Sequence, residues 1–339
     1  MNLNTFWFVL VGILLTGYAV LDGFDLGTGP LLLCAKSDHE RRIFLNAIGP
    51  IWNGNEVWLV TGSGALFAAF PQVYATVFSG FYDLFMLLLV ALIFRAVAIE
   101  FRSQRPSIRW RTTWDLAFAI SSGLSALLLG VALGNIVWGI PLDAALEFQG
   151  YLLTLLHPYA LFTGFTAVVL FIMHANVYLV LKTDSPLQEK LMSWTRLTVP
   201  GFLACFVAMN VMTLLACPHI VAAFRQRPLI LGPLFLVGLL LTFNILREIS
   251  NKRPGRAFAS SCAALVLHFL LFGAAVYPTL VFSTPNHAYD LNISNSASTE
   301  KTLGFMFVVA IIGVPIVLTY TITVYYIFRG KVVLTDDSY

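Results

Sequence analysis

Nine apolar runs follow one another through the chain, each about as long as the twenty residues a helix needs to cross hydrocarbon. They occupy 6–34, 50–71, 74–101, 114–138, 158–182, 195–217, 227–249, 257–282 and 304–329. Runs of this length specify helices, because a backbone in lipid must satisfy its own hydrogen bonds. Barrel strands would show only short alternation. The chain is therefore expected to be an all-α polytopic membrane protein with nine transmembrane helices, forming a single integral membrane domain over residues 1–339. Helices 1–4 cover about 6–138, helices 5–8 about 158–282 and helix 9 about 304–329. Pro50, Pro71, Pro158 and Pro228 mark starts or stops, and Pro315 is placed to kink the last helix. Only 11% of residues are charged, against about 25% in a soluble domain. A net charge of +3 gives no basis for a nucleic-acid partner.

Orientation follows from the basic residues in the connections. One side gathers Lys36, Arg41 and Arg42, then Arg102 to Arg111, Lys182 to Arg196, Arg247 to Arg256, and Arg329 with Lys331. The other side has Arg225, Arg227 and Lys301. The amino terminus is expected outside and the carboxyl terminus in the cytoplasm of a bacterial cell (inner) membrane. The start MNLNTFWF lacks the basic residues of a secretory signal peptide, so the first helix itself is expected to target the chain. No connection is long enough for a soluble domain, and 139–157 with 283–303 are expected to form short caps.

Against this apolar background a few polar residues stand out. An unpaired charge at the bilayer centre costs about 2.5–3.5 kcal/mol even on a lenient scale, so such groups need a partner or a function. Asp25 lies nine residues from the basic end of the first helix, roughly 13 Å deep at 1.5 Å per residue. Glu56 lies roughly 9 Å deep in the second helix by the same rise, and Arg95 at a similar depth in the third. Asp22 and Asp25 share a helix face at three-residue spacing, as do Asn53 and Glu56. Gly23 and Gly27 form a GxxxG step that lets another helix come close to the acids. Two readings stay open. The residues form a buried cluster in which Arg95 neutralises a carboxylate, or Asp22, Asp25, Asn53 and Glu56 line a proton path from the cytoplasm. Arg95 and Glu100 are candidates for a structural ion pair or gate, with Glu100, Arg102 and Asp115 expected near solvent.

Metal chemistry finds little footing. Cys34, Cys205, Cys217 and Cys262 are scattered without a CxxC and are read as buried apolar residues. His174 and His268 fall inside helices, where a lone histidine is more often hydrogen-bonded structure than a ligand. No metal site is expected. Trp52 sits at a helix start, the usual place of a membrane-anchoring tryptophan.

The blocks Leu21-Asp22-Gly23-Phe24-Asp25-Leu26-Gly27, Glu40-Arg41-Arg42, Pro50-x-Trp52-x-Gly54-Asn55-Glu56-Val57-Trp58-Leu59 and Phe94-Arg95…Glu100-Phe101-Arg102 resemble subunit II of cytochrome bd quinol oxidase. The resemblance continues through His174-Ala175-Asn176-x-Tyr178-Leu179 and Tyr277-Pro278 to the last helix. It implies two four-helix bundles plus a peripheral ninth helix. It also implies a haem-bearing partner, subunit I, that holds haem b and haem d, oxidises quinol and reduces O2 to water. This chain would then ligate no haem and carry no catalytic residue. It would support subunit I and help conduct protons, with Trp52 as the aromatic at the subunit boundary. A small accessory subunit, membrane lipid and quinone complete the expected partners. Where the family usually has Asp, this chain has Asn53, which cannot release a proton. Either Glu56 takes that role or Asn53 holds a water.

The competing class is a proton-coupled secondary transporter, which also uses buried carboxylates and glycine-interrupted helices. Such carriers place them in symmetric halves, whereas helices five to eight hold no counterpart of DGFDLG. A purely structural assembly subunit is a third reading.

Overall fold

The structure, a computed structural model, describes residues 2–335. Its helices run in order as α1 (Leu3–Leu21), α2 (Gly23–Leu32), α3 (Asp38–Ile48), α4 (Trp52–Ala69), α5 (Pro71–Gly80), α6 (Tyr82–Phe101) and α7 (Ile108–Trp138). There follow the single turn α8 (Leu152–Leu155), α9 (Pro158–Lys182), α10 (Leu187–Ala216), α11 (Pro218–Gln226), α12 (Pro228–Ser250), α13 (Pro254–Val276) and α14 (Glu300–Ile327). Among the described residues eight helical segments are long and apolar enough to cross a membrane, α1 and α2 counting as one. The expected second crossing, α4, is not among them. Its 18 residues include Asn53, Asn55, Glu56, Thr61 and Ser63, which dilute its apolar character.

Several helices outrun their apolar windows. α7 starts at Ile108 rather than 114, because Arg109 and Arg111 form a polar first turn that hydropathy does not register. The expected third run divides into α5 and α6 around Phe81. α14 continues through Pro315. Gly139 closes α7 with φ of 97°, a left-handed conformation that glycine adopts without steric cost.

The centre of the molecule is α2, wedged between α7 and α9. Gly27 makes this approach possible: a Cβ there would strike the backbone carbonyl of Phe171 and the side chain of Ala175 on α9. Phe24 stacks on Tyr178 at 4.0 Å between ring centroids and binds the same two helices. α1 packs on α4 and α13, and α12 packs on α13.

The basic connections meet at one end. Arg41 of α3 reaches Asp115 of α7, Lys190 of α10 reaches Glu40, and Lys331 donates to the Thr183 carbonyl at 2.6 Å. The opposite end carries a small cap in which β1 (Thr279–Val281) pairs antiparallel with β2 (Leu291–Asn292), and Ile140 bridges to Ser283. This is the cap expected from 139–157 and 283–303.

α14 stands at the edge of the bundle with Leu303 its one buried residue. Leu229 is 89% exposed and Phe305 73%, as side chains facing lipid would be. The same outward facing corrects the expectation for the thiols. Cys217 is buried, Cys205 and Cys262 are half-buried, and Cys34 is exposed, since an apolar thiol meeting lipid needs no protein cover.

Candidate functional site

The site forms where the first membrane segment is interrupted. Asp22 ends α1 and precedes α2, and both it and Asp25 are fully buried. Arg95, 1% exposed, comes from α6 and forks onto Asp22. Its Nη1 donates to Oδ2 at 2.8 Å and its Nη2 to Oδ1. A two-point contact of this kind matches guanidinium and carboxylate geometry. Nη2 also lies 3.8 Å from Asp25 Oδ2, a charge contact but not a hydrogen bond. One guanidinium therefore serves two buried acids and commits itself to Asp22.

Asp25 takes its hydrogen bond from Asn55 on α4, whose Nδ2 donates to Oδ2 at 2.8 Å. The Asn55 Oδ1 in turn accepts from the Tyr325 hydroxyl of α14 at 2.9 Å. The other Asp25 oxygen, Oδ1, has no protein partner among the described residues. Glu56, next to Asn55, is half-buried and within electrostatic reach of Arg95 and Asp22. The structure thus brings Asp22, Asp25, Arg95 and Glu56 together.

The other candidates stay away from the Asp22, Asp25 and Arg95 contact. Asn53 is exposed, turned about 200° around α4 from Asn55 by the 100° step of a helix. Glu100 is also exposed, five positions beyond Arg95 and so on another face of α6. Trp52 is half-buried against the main apolar core. Sequence reasoning did not single out Asn55 or Tyr325. Asn55 sits inside the conspicuous Gly54-Asn55-Glu56 block, but helix phase alone decides which of its amides faces Asp25.

A second charge cluster lies at the basic end. Arg102 and Asp115, expected near solvent, are buried at 1% and 2% exposure. Arg102 Nε donates to Asp115 Oδ1 at 2.5 Å, and Nη2 donates to Asp38 Oδ1 at 2.7 Å. Arg111 holds the other Asp38 oxygen at 2.8 Å. Partial burial alone would raise the Asp38 carboxyl, but the Arg102 hydrogen bond and the Arg102, Arg111 and Arg42 charges outweigh it and hold it below the usual range. Glu40 behaves likewise: burial opposes, while Lys190 at 2.7 Å and the Lys36 amide at 2.6 Å lower it.

His174 does not fit a haem iron. His174 Nε2 lies 2.9 Å from the Val20 carbonyl, which can only accept, so that nitrogen carries the proton. Nδ1 then accepts from Ser261 Oγ at 2.7 Å, which leaves no lone pair for a metal. His268 packs against Phe202, Phe206 and Gly238, and neither of its ring nitrogens has a hydrogen-bond partner among the described residues. Among the described residues, no three of His, Cys, Asp and Glu gather as a metal ion would require.

The family model for cytochrome bd terminal oxidase subunit II matches residues 3–328. The chain is 33% identical, over an alignment of 365 positions, to cytochrome bd-I ubiquinol oxidase subunit 2 of Escherichia coli (strain K12), covering 98% of this chain and 96% of that one. It is 32% identical over 332 positions to cytochrome bd ubiquinol oxidase subunit 2 of Bacillus subtilis (strain 168), covering 98% and 97%. A solved structure of bd oxidase from Geobacillus thermodenitrificans shares the fold, with a TM-score of 0.79 at 17% identity over 97% of this chain and 99% of that chain.

Proposed function

The chain belongs to the cytochrome bd terminal oxidase subunit II family, and from that membership we propose that it braces a haem-bearing subunit I and feeds protons to it from the cytoplasm. It is a subunit of a cytochrome bd quinol oxidase complex, an oxidoreductase, and a multi-pass protein of the bacterial cell membrane. The transporter reading is not favoured.

The complex carries haem; in this reading haem b and haem d both lie in subunit I, which oxidises quinol and reduces O2 to water. This chain's share is the protons that reaction consumes. α4 counts with the eight apolar segments as a ninth crossing, the amino terminus lies outside, and the basic end with the carboxyl terminus faces the cytoplasm. The helices group as two four-helix bundles with α14 peripheral, all within one membrane domain. A largely apolar groove of about 640 Å³ between α1, α13 and α14, with Thr16, Thr321 and Arg227 among its lining residues, suits the chain of a lipid or quinone. A small accessory subunit would sit on the lipid-facing surface, and Trp52 near the boundary with subunit I.

The observation that carries the proton role is the charge imbalance at the helix interruption. Arg95 neutralises Asp22, which leaves Asp25 buried with one oxygen unpartnered and Glu56 within electrostatic reach of the pair. A buried acid without its own cation holds a proton or exchanges one with water, and that is what a relay group does. Glu56 then stands in for the acid that Asn53 lacks. The test is quinol oxidase turnover of complexes carrying Asp25→Asn or Glu56→Gln at unchanged haem content. Full activity in both would reduce these acids to structure.

A further inference from the structure

We propose that Tyr325 is a positioning residue of the relay: its hydroxyl fixes the Asn55 amide so that the NH2 group, and not the carbonyl, faces Asp25. The inference rests on the proton-path reading above and extends it to the last helix. An asparagine amide offers a donor on one side and an acceptor on the other, and the two orientations differ little in shape. Asp25 Oδ2 and Asn55 Nδ2 are 2.8 Å apart, while Asn55 Oδ1 and the Tyr325 hydroxyl are 2.9 Å apart. The second bond supports the first: a flipped amide would turn its carbonyl toward a carboxylate oxygen, and although the hydroxyl could then accept from the NH2, its own proton would lose the acceptor it has here. Without Tyr325 only Asp25 holds the amide, and whenever Asp25 is protonated the flipped orientation, with its acceptor toward the acid, becomes accessible.

The placement of Tyr325 is otherwise unexpected. α14 has almost no buried surface, yet Tyr325 packs on the main core and sends its hydroxyl to a residue 270 positions earlier in the chain. The basic end of α14 is held in register for this. Lys182 Nζ donates to the Phe328 carbonyl and, at 3.0 Å, to that of Gly330, and the Val332 amide donates to the Lys182 carbonyl at 2.9 Å. The peripheral helix thus reaches the buried acid through one side chain.

The experiment uses the intact complex, accepted only at wild-type haem content. Loss of one buried hydrogen bond predicts that Tyr325→Phe slows turnover by about five-fold. Tyr326→Phe, which removes a hydroxyl from the exposed side of the same helix, leaves turnover unchanged. In an Asn55→Ala background, Tyr325→Phe costs nothing more, because its target is gone. The infrared band that Asp25→Asn removes also changes frequency in Tyr325→Phe. Equal slowing in both backgrounds, or an unmoved band, overturns the proposal and leaves Tyr325 as packing. Full turnover in Asp25→Asn sinks the proton path instead; the band then decides alone whether Tyr325 orients Asn55. If Tyr325→Phe does not assemble, Tyr325→Met fills the space without a donor and is read the same way.

Discussion

Arg95 and Asp22, 73 residues apart in sequence, close a two-point ion pair with both side chains out of solvent. Pairs of this kind contribute little beyond an apolar replacement, but removing one partner strands the other charge at a cost of about 3–5 kcal/mol. Arg95→Leu is therefore expected to block assembly of the complex or lower its melting temperature sharply. Arg95→Leu combined with Asp22→Leu recovers much of the loss. Thermal unfolding of the purified complexes reads both, and additive losses in the double variant would mean that the two residues act separately.

The close approach of α2 to α9 makes a different demand. Gly27→Val places a side chain against the Phe171 backbone, which cannot move as a flexible side chain would. Overpacking typically costs about 1–3 kcal/mol, and more where backbone blocks relief. The variant should lose haem-loaded complex in the membrane fraction. Gly64→Ala, with open space around it, should assemble normally.

How much of this was readable beforehand depended on the cost that hydrocarbon places on charge. Asp22, Asp25, Glu56 and Arg95 announced themselves because no apolar helix tolerates them without a reason. Arg102 and Asp115 did not, since their positions near helix ends allow solvation, and only the fold shows Arg41, Asp38 and Arg111 closing over them. Asn55 and Tyr325 were hidden for another reason. Neither is charged, and their contact spans helices whose rotation no single-helix pattern fixes. Hydropathy placed most crossings well and was weakest at α4, where Asn53, Asn55, Glu56, Thr61 and Ser63 dilute the apolar signal.

The basic end should respond to acid. Asp38 and Glu40 have folded-state pKa values below their unfolded ones, so the stability they contribute is present above the ordinary carboxylate range. It is lost as pH falls through the lowered values. Both groups are partly solvated, so the effect is local and weakened by salt. Hydrogen exchange of α3 should accelerate as pH drops from about 6 to 3, beyond the intrinsic pH dependence of exchange. Lys190→Met should lower the protection of α3 near neutral pH and shrink its acid-induced change, because Glu40 loses the partner that lowers it. Protection that does not change with Lys190→Met would show that the Glu40–Lys190 pair adds nothing to holding α3.

The two amides of α4 give the sharpest test of where protons travel. Asn55 donates to Asp25 and accepts from Tyr325, so Asn55→Ala leaves two polar groups unpaired and should slow quinol oxidation on the order of ten-fold. Asn53 is exposed and turned away from Asp25, and Asn53→Ala should keep turnover within about two-fold of wild type, the range of a surface change. Asn53→Asp should not accelerate turnover either, because Glu56 already supplies a titratable group one turn further along the helix. Should Asn53→Ala prove the more damaging of the two alanine variants at equal haem content, the protons run along the outer face of α4. The Asp25 cluster would then be a brace beside the route rather than a part of it.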